Sequence, residues 1–123
     1  MTNPIALSLR NTLTGILPPL SMPFDEKGNL VEGALKAQVD FMIESGVRGL
    51  VVGGSTGEGH TLSSSEFTQA MKEAHAANAG RVPFIVGLIV QSTREAIDRV
   101  KALGDIKMDA LQVTPVHYLF KPG

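Results

Sequence analysis

A parallel α/β fold is the class this sequence predicts, and three observations predict it. Four apolar runs alternate with helix-like segments at a spacing of about thirty residues. The middle runs are continuously apolar and rich in valine and isoleucine, as strands become when helices cover both faces of a sheet. Crossovers of the β-α-β kind are almost always right-handed, so the strands run parallel.

The elements follow in order. The first run, 15–24, carries Pro18, Pro19 and Pro23, which shorten a strand and suit an edge or an irregular end. A helix over 31–45 places Leu35, Val39, Met42 and Ile43 on one stripe, and Gly46 stops it. The second run is 49–54. Ser63 and Glu66 then form a capping box, a hydroxyl and a carboxylate that satisfy exposed helix N–H groups. The helix behind it carries Phe67, Met71 and Ala74 on one face and ends at Gly80. The third run is 82–90. Ser92 and Glu95 make a second capping box, followed by Ala96, Val100 and Leu103 on one face and a stop at Gly104. The charged residues between 94 and 101 read as a solvated helix face. The fourth run is 110–115. Strands are therefore expected near 15–21, 48–53, 83–89 and 110–114, in sequential order, with three helices on one side.

Two architectures share this order: an open, flavodoxin-like sheet and the first half of a (β/α)8 TIM barrel. A complete barrel takes about 250 residues, and the chain has 123. An open sheet would normally carry a helix over its fourth strand, and none follows here. The expected organisation is an N-terminal extension, 1–12, and a partial TIM-barrel domain of about four β-α units, 13–123, truncated after the fourth strand.

Composition narrows the function. Apolar residues make up 43% and charged residues 19%, values of an ordinary globular domain. Eleven basic against twelve acidic residues leave a net charge of −1, so no basic surplus points to nucleic acid or an anionic membrane. The absence of cysteine excludes disulfides, thiolate metal sites and a cysteine nucleophile. No apolar run approaches the roughly 20 residues that span a bilayer. The first ten residues lack the basic start and long apolar core of a signal peptide, so a cytoplasmic location is expected. No histidine or carboxylate pair has metal-site spacing, and neither a metal nor a cofactor is expected.

Ligands of parallel α/β folds bind at the C-terminal ends of strands. The most informative such segment is Gly53-Gly54-Ser55-Thr56-Gly57-Glu58-Gly59-His60. Its glycines allow tight turns, successive N–H groups can cradle an anion, and Ser55 and Thr56 add hydroxyls. A carboxylate or phosphate is the natural guest. An equally weighted reading is a strand-to-helix turn whose polar residues satisfy the backbone. Neither a Gly-Lys-Ser/Thr phosphate loop nor a GxGxxG dinucleotide loop is present. Glu58 is the best candidate for a buried carboxylate, holding the turn by hydrogen bonds. His60 follows the glycine-rich turn and either lines a site there or, the preferred reading, is a solvated loop residue; His75 reads as a surface or packing residue. In the segment 114–122, His117 and Tyr118 could hydrogen-bond a polar ligand or exchange protons with it, or the aromatic residues could simply pack.

These pieces resemble one family. Met22-Pro23-Phe24 with Asp25-Glu26-Lys27-Gly28-Asn29-Leu30, then Gly53-Gly54-Ser55-Thr56-Gly57-Glu58, then Val113-Thr114-Pro115 with His117-Tyr118, are similar in order and spacing to the N-terminal part of the dihydrodipicolinate synthase / N-acetylneuraminate lyase family of class I aldolases. The resemblance covers nearly all of the chain after residue 12. It implies a (β/α)8 barrel, usually a homotetramer, that forms a Schiff base between a lysine and pyruvate or a related 2-oxo acid and then makes or breaks a carbon–carbon bond. Ser55 is then implied in a proton relay and in binding the substrate carboxylate, and Thr56 in binding that carboxylate. Tyr118 is implied as the phenol that reaches the neighbouring subunit's site; His117 is the alternative, and Tyr118 is preferred because it keeps the phenol. The Gly-Gly-Ser-Thr form resembles the lyase branch more than the synthase branch.

The family's strand lysine and its Tyr-Asn-x-Pro tyrosine have no counterpart here. Lys27, Lys36, Lys72, Lys101, Lys107 and Lys121 all fall on expected helices or loops. The chain alone is therefore expected to be inactive. Two other readings stand beside this one: a non-catalytic α/β module that binds an anion at 53–58, and a structural half-barrel that pairs with a second polypeptide.

Overall fold

A computed structural model describes residues 4–115 as helices α1 (Pro4–Thr12), α2 (Ala34–Glu44), α3 (Ser64–Asn78) and α4 (Thr93–Ala102), and strands β1 (Leu50–Val52), β2 (Phe84–Leu88) and β3 (Ala110–Val113). The three strands form one parallel sheet in the order β1-β2-β3, with Val51 opposite Ile85 and Val86 opposite Leu111. The α/β class and the parallel, sequential sheet are as the apolar runs predict. The segment expected to be an N-terminal extension holds α1.

The first run departs from its expectation. It forms no strand over 15–21, only a single parallel bridge between Pro19 and Val51. Proline has no N–H, so Pro18 and Pro19 can only accept. Three backbone hydrogen bonds join it to the β1 side: Arg48 N–H donates to Ile16 O (2.8 Å), Val51 N–H to Pro18 O (3.0 Å) and Leu20 N–H to Val51 O (2.8 Å). Leu50 N–H points the opposite way, to Pro83 O. The first run thus borders β1 on the edge away from β2, which keeps the sequential order.

Helices α2, α3 and α4 each start where the chain can satisfy free N–H groups. Gly33, before α2, has no side chain to offer. Glu73 of α3 supplies the cap instead: its Oε1 accepts Leu35 N–H at 2.9 Å, which also fixes how the two helices sit together. At α3 the expected capping box is complete. Glu66 N–H donates to Ser63 Oγ (3.2 Å) and Ser63 N–H donates to Glu66 Oε2 (2.8 Å). At α4 only half of the expected box forms. Ser92 Oγ accepts Glu95 N–H (3.1 Å), but the Glu95 carboxylate reaches Gln91 N–H (3.2 Å).

The helices α2, α3 and α4 cover one face of the sheet. Leu50, Val52, Phe84, Val86 and Leu88 point into that layer and meet Leu35, Val39, Phe67, Met71, Ala74 and Leu103 in one core. His75 packs edge-on against Phe84, with ring centroids 5.4 Å apart, the second of the two roles, surface or packing, expected of it. Buried Asn78 ends α3 and turns the chain into β2 by bonding both ways with Val82. Asp109 clasps the start of the β2–β3 ladder. Its N–H donates to Phe84 O and its Oδ2 accepts Phe84 N–H, each at 2.8 Å. Toward solvent the sheet is thinner: Val113 is 57% exposed, as is Phe41 of α2 at 65%. No described helix is long and apolar enough to cross a membrane.

The Ser63 hydroxyl and N–H hold the Glu66 carboxyl below the usual carboxylate range. A carboxyl whose pKa falls on folding stabilises the fold above its unfolded pKa, and that contribution disappears as pH drops through the lower folded value. Melting temperature should therefore fall less between pH 5 and pH 3 in Glu66→Gln than in the wild-type chain. Glu73→Ala, which removes the only side-chain cap on α2 among the described residues, should lower unfolding free energy in urea by about 1 kcal/mol, the usual size of a lost cap.

Candidate functional site

Backbone contact shapes the turn after β1. A side chain on Gly59 would overlap the carbonyl of Gly53, and one on Gly87 would stand 2.5 Å from Gly54 N. Two strand ends and the turn therefore lie directly on one another. Gly59 N–H donates to Gly54 O (3.1 Å) and Glu58 N–H to Ser55 O (3.0 Å), closing the turn on itself. Gly57 is pressed against Leu20 O in the same way. The inward positions 57 and 59 have room only for hydrogen, so the residues between them face outward.

That alternation corrects the expectation for Glu58. Its carboxylate is exposed, not buried, and its backbone does the holding, with φ at 51°. The Glu58 carbonyl accepts from Thr61 N–H and Thr61 Oγ1, each at 2.8 Å. His60 is exposed, as expected.

Ser55 and Thr56 stand exposed at a cavity of about 620 Å³ on the sheet face opposite α3. Val51, Ile85 and Ala110 form its strand wall, and Leu13 and Leu17 close in from the N-terminal side. Among the described residues, nothing accepts from the N–H groups of Ser55 or Thr56. The turn thus offers two N–H groups and two hydroxyls to whatever fills the cavity. Gln112 of β3 adds a carboxamide, 4.0 Å from where a side-chain carbon on Gly54 would begin. Strand alternation was its signal: 110 and 112 share a face.

Lys36, Lys72 and Lys101 lie on helices, and Lys27 and Lys107 on turns or loops. No group of three acidic or histidine side chains able to hold a metal occurs among the described residues. Tyr118, His117 and Lys121 lie outside the described residues.

Arg99 overturns the expectation of a wholly solvated face between 94 and 101. Its side chain is 5% exposed, donates to Gly59 O (3.1 Å) and Leu62 O (2.8 Å), and pairs with Glu95 (3.0 Å). Position 99 lies three residues after Ala96 and four before Leu103, so the helical spacing already put it on the apolar stripe. Its charge masked that signal.

The chain matches the dihydrodipicolinate synthetase family over residues 12–122. It is 32% identical over 114 residues to an uncharacterized DapA-like lyase of Rhizobium meliloti, an alignment covering 93% of this chain and 38% of that protein. The structure is similar to the N-acetylneuraminate lyase of Mycoplasma synoviae, at a TM-score of 0.82 and 33% identity over 90% of this chain and 39% of that one. It is also similar to the dihydrodipicolinate synthase of Acinetobacter baumannii in its complex with pyruvate, at a TM-score of 0.77 and 36% identity over 85% of this chain and 36% of that one. The chain thus spans less than two-fifths of the length of each of these proteins.

Gly59→Ala and Gly87→Ala should each destabilise the chain by about 3 kcal/mol or more, because a methyl group there meets rigid backbone. Gly28→Ala, with open space around it but a φ of 82°, should cost about 1 kcal/mol. Urea denaturation of the three variants checks the difference.

Proposed function

Because the chain belongs to the dihydrodipicolinate synthetase family, we propose that residues 13–123 are the first half of a (β/α)8 barrel whose activity is that of a Schiff-base lyase acting on pyruvate or a related 2-oxo acid. The observation that carries this reading is the turn after β1. It sets two N–H groups and the hydroxyls of Ser55 and Thr56 at the mouth of a cavity, the donor set a carboxylate needs. The sequential parallel order β1-β2-β3, with the first run beyond β1, supports the half-barrel.

In this reading Thr56 and the adjoining N–H groups bind the 2-oxo acid's carboxylate and so fix its keto carbon. A lysine amine attacks that carbon, water leaves, and the resulting imine withdraws electrons from the bond made or broken next to it. Ser55 also contacts the carboxylate and passes protons during these steps. The lysine belongs to sequence outside these 123 residues. Tyr118 contributes its phenol to the site of a neighbouring subunit in a homo-oligomer. The enzyme works in the cytoplasm and needs neither metal nor cofactor.

Borohydride reduction in the presence of pyruvate tests the proposal. Residues 1–123 alone should give no stoichiometric adduct, whereas the intact gene product should be trapped on one lysine beyond them. A single lysine of this chain reduced onto pyruvate, with Lys121 the first to inspect, would overturn the reading. In the intact product, Thr56→Val should weaken pyruvate binding by about 1–3 kcal/mol through loss of a charge-assisted hydrogen bond. Ser55→Ala should lower turnover more than binding. Sedimentation of the isolated 123-residue chain should show oligomers or aggregates, because Val113 and Phe41 are exposed and the β3 edge is unpaired among the described residues; a cooperatively melting monomer contradicts this.

A further inference from the structure

We infer that Arg99 is a positioning residue for the turn that presents Ser55 and Thr56, holding it in a ligand-ready shape from forty residues away. The inference rests on the reading of that turn as a carboxylate cradle.

The chain of contacts is short. Arg99 Nη1 donates to Gly59 O at 3.1 Å and Nη2 to Leu62 O at 2.8 Å. Gly59 N–H in turn donates to Gly54 O, and Gly54 directly precedes Ser55. One rigid guanidinium therefore fixes both the far end of the turn and, through the single residue Gly59, its near end. A planar fork can hold two carbonyls three residues apart in one geometry, which a flexible ammonium cannot.

The same side chain ties in the next loop. Glu95 pairs with Arg99 through Oε1 and accepts Gln91 N–H through Oε2. Gln91 lies in the loop after β2. The ion pair thus braces the loops that follow two adjacent strands, both on the rim where ligands of parallel sheets bind. Phe67 of α3 lies 4.9 Å beneath the guanidinium and keeps it in plane.

Packing alone does not account for this residue. Arg99 Nε is buried and has no partner among the described residues. A methionine or leucine would fill the same volume without stranding a donor. What an arginine adds is the grip on the two carbonyls.

The test compares the intact gene product with Arg99→Met, Arg99→Lys and Leu103→Ala. Leu103 is a buried residue just past α4 that makes no hydrogen bond to either loop, and its truncation controls for loss of stability. Two quantities are read: the pyruvate concentration giving half-maximal borohydride trapping, and amide hydrogen exchange of residues 54–62. Arg99→Met should raise the first at least tenfold and speed the second at least tenfold. Arg99→Lys, which keeps the charge but loses the fork, should fall between, and it decides the matter if Arg99→Met does not fold. Leu103→Ala should lower the melting temperature yet leave both readouts within twofold. Arginine variants that match Leu103→Ala in both readouts would overturn the inference. Failure of the wild-type protein to trap pyruvate would instead remove the carboxylate reading, and exchange at 54–62 would still decide whether Arg99 orders the turn.

Discussion

Backbone lying directly on backbone is the constraint from which the candidate site follows. At the ends of β1 and β2 the chain passes itself with no side chain between, at Gly53, Gly54, Gly59 and Gly87. The close approach forces the chain into a series of tight turns, with inward positions that hold only hydrogen. Everything else there is a consequence. Ser55, Thr56, Glu58 and His60 face outward because inward space is gone, and among the described residues the turn's internal bonds use the N–H groups of Glu58 and Gly59 and leave those of Ser55 and Thr56 without an acceptor.

The second organising element is a set of polar side chains that join neighbours end to end. Glu73 caps a helix that cannot cap itself, Asn78 turns α3 into β2, Asp109 opens the β2–β3 ladder, and Arg99 links α4 to the turn after β1. Each satisfies backbone groups that would otherwise be stranded at an element's end. The apolar core sets which layers meet. These four side chains set how far along one another the layers slide, and so where the rim of the sheet lies.

Much of the fold was legible in the sequence, because periodicity reports on burial. The runs at 49–54, 82–90 and 110–115 became strands, and the stripes through Leu35, Phe67 and Leu103 became the helical side of the core. The first run misled by half: its apolar character marked its place beside β1, but two prolines left it without the donors a ladder needs. The turn at 53–60 was legible as a candidate site because glycine and hydroxyl residues cluster there. The outward turn of Glu58 was not, since it follows from contacts of Gly57 and Gly59 with Leu20 and Gly53 that no local pattern encodes. Arg99 was hidden for a different reason. A charged residue on an apolar stripe reads as surface until the carbonyls it serves, far away in sequence, are brought to it.

The exposed residues of the turn after β1 have a consequence for how such a site can diversify. Its shape rests on Gly57, Gly59 and Gly87, which lie against backbone, while Ser55, Thr56 and Gln112 line the cavity with polar side chains. The two are separable. If the turn is the carboxylate cradle proposed above, exchanging a hydroxyl for another polar group would change its ligand while the glycine frame beneath it stays the same.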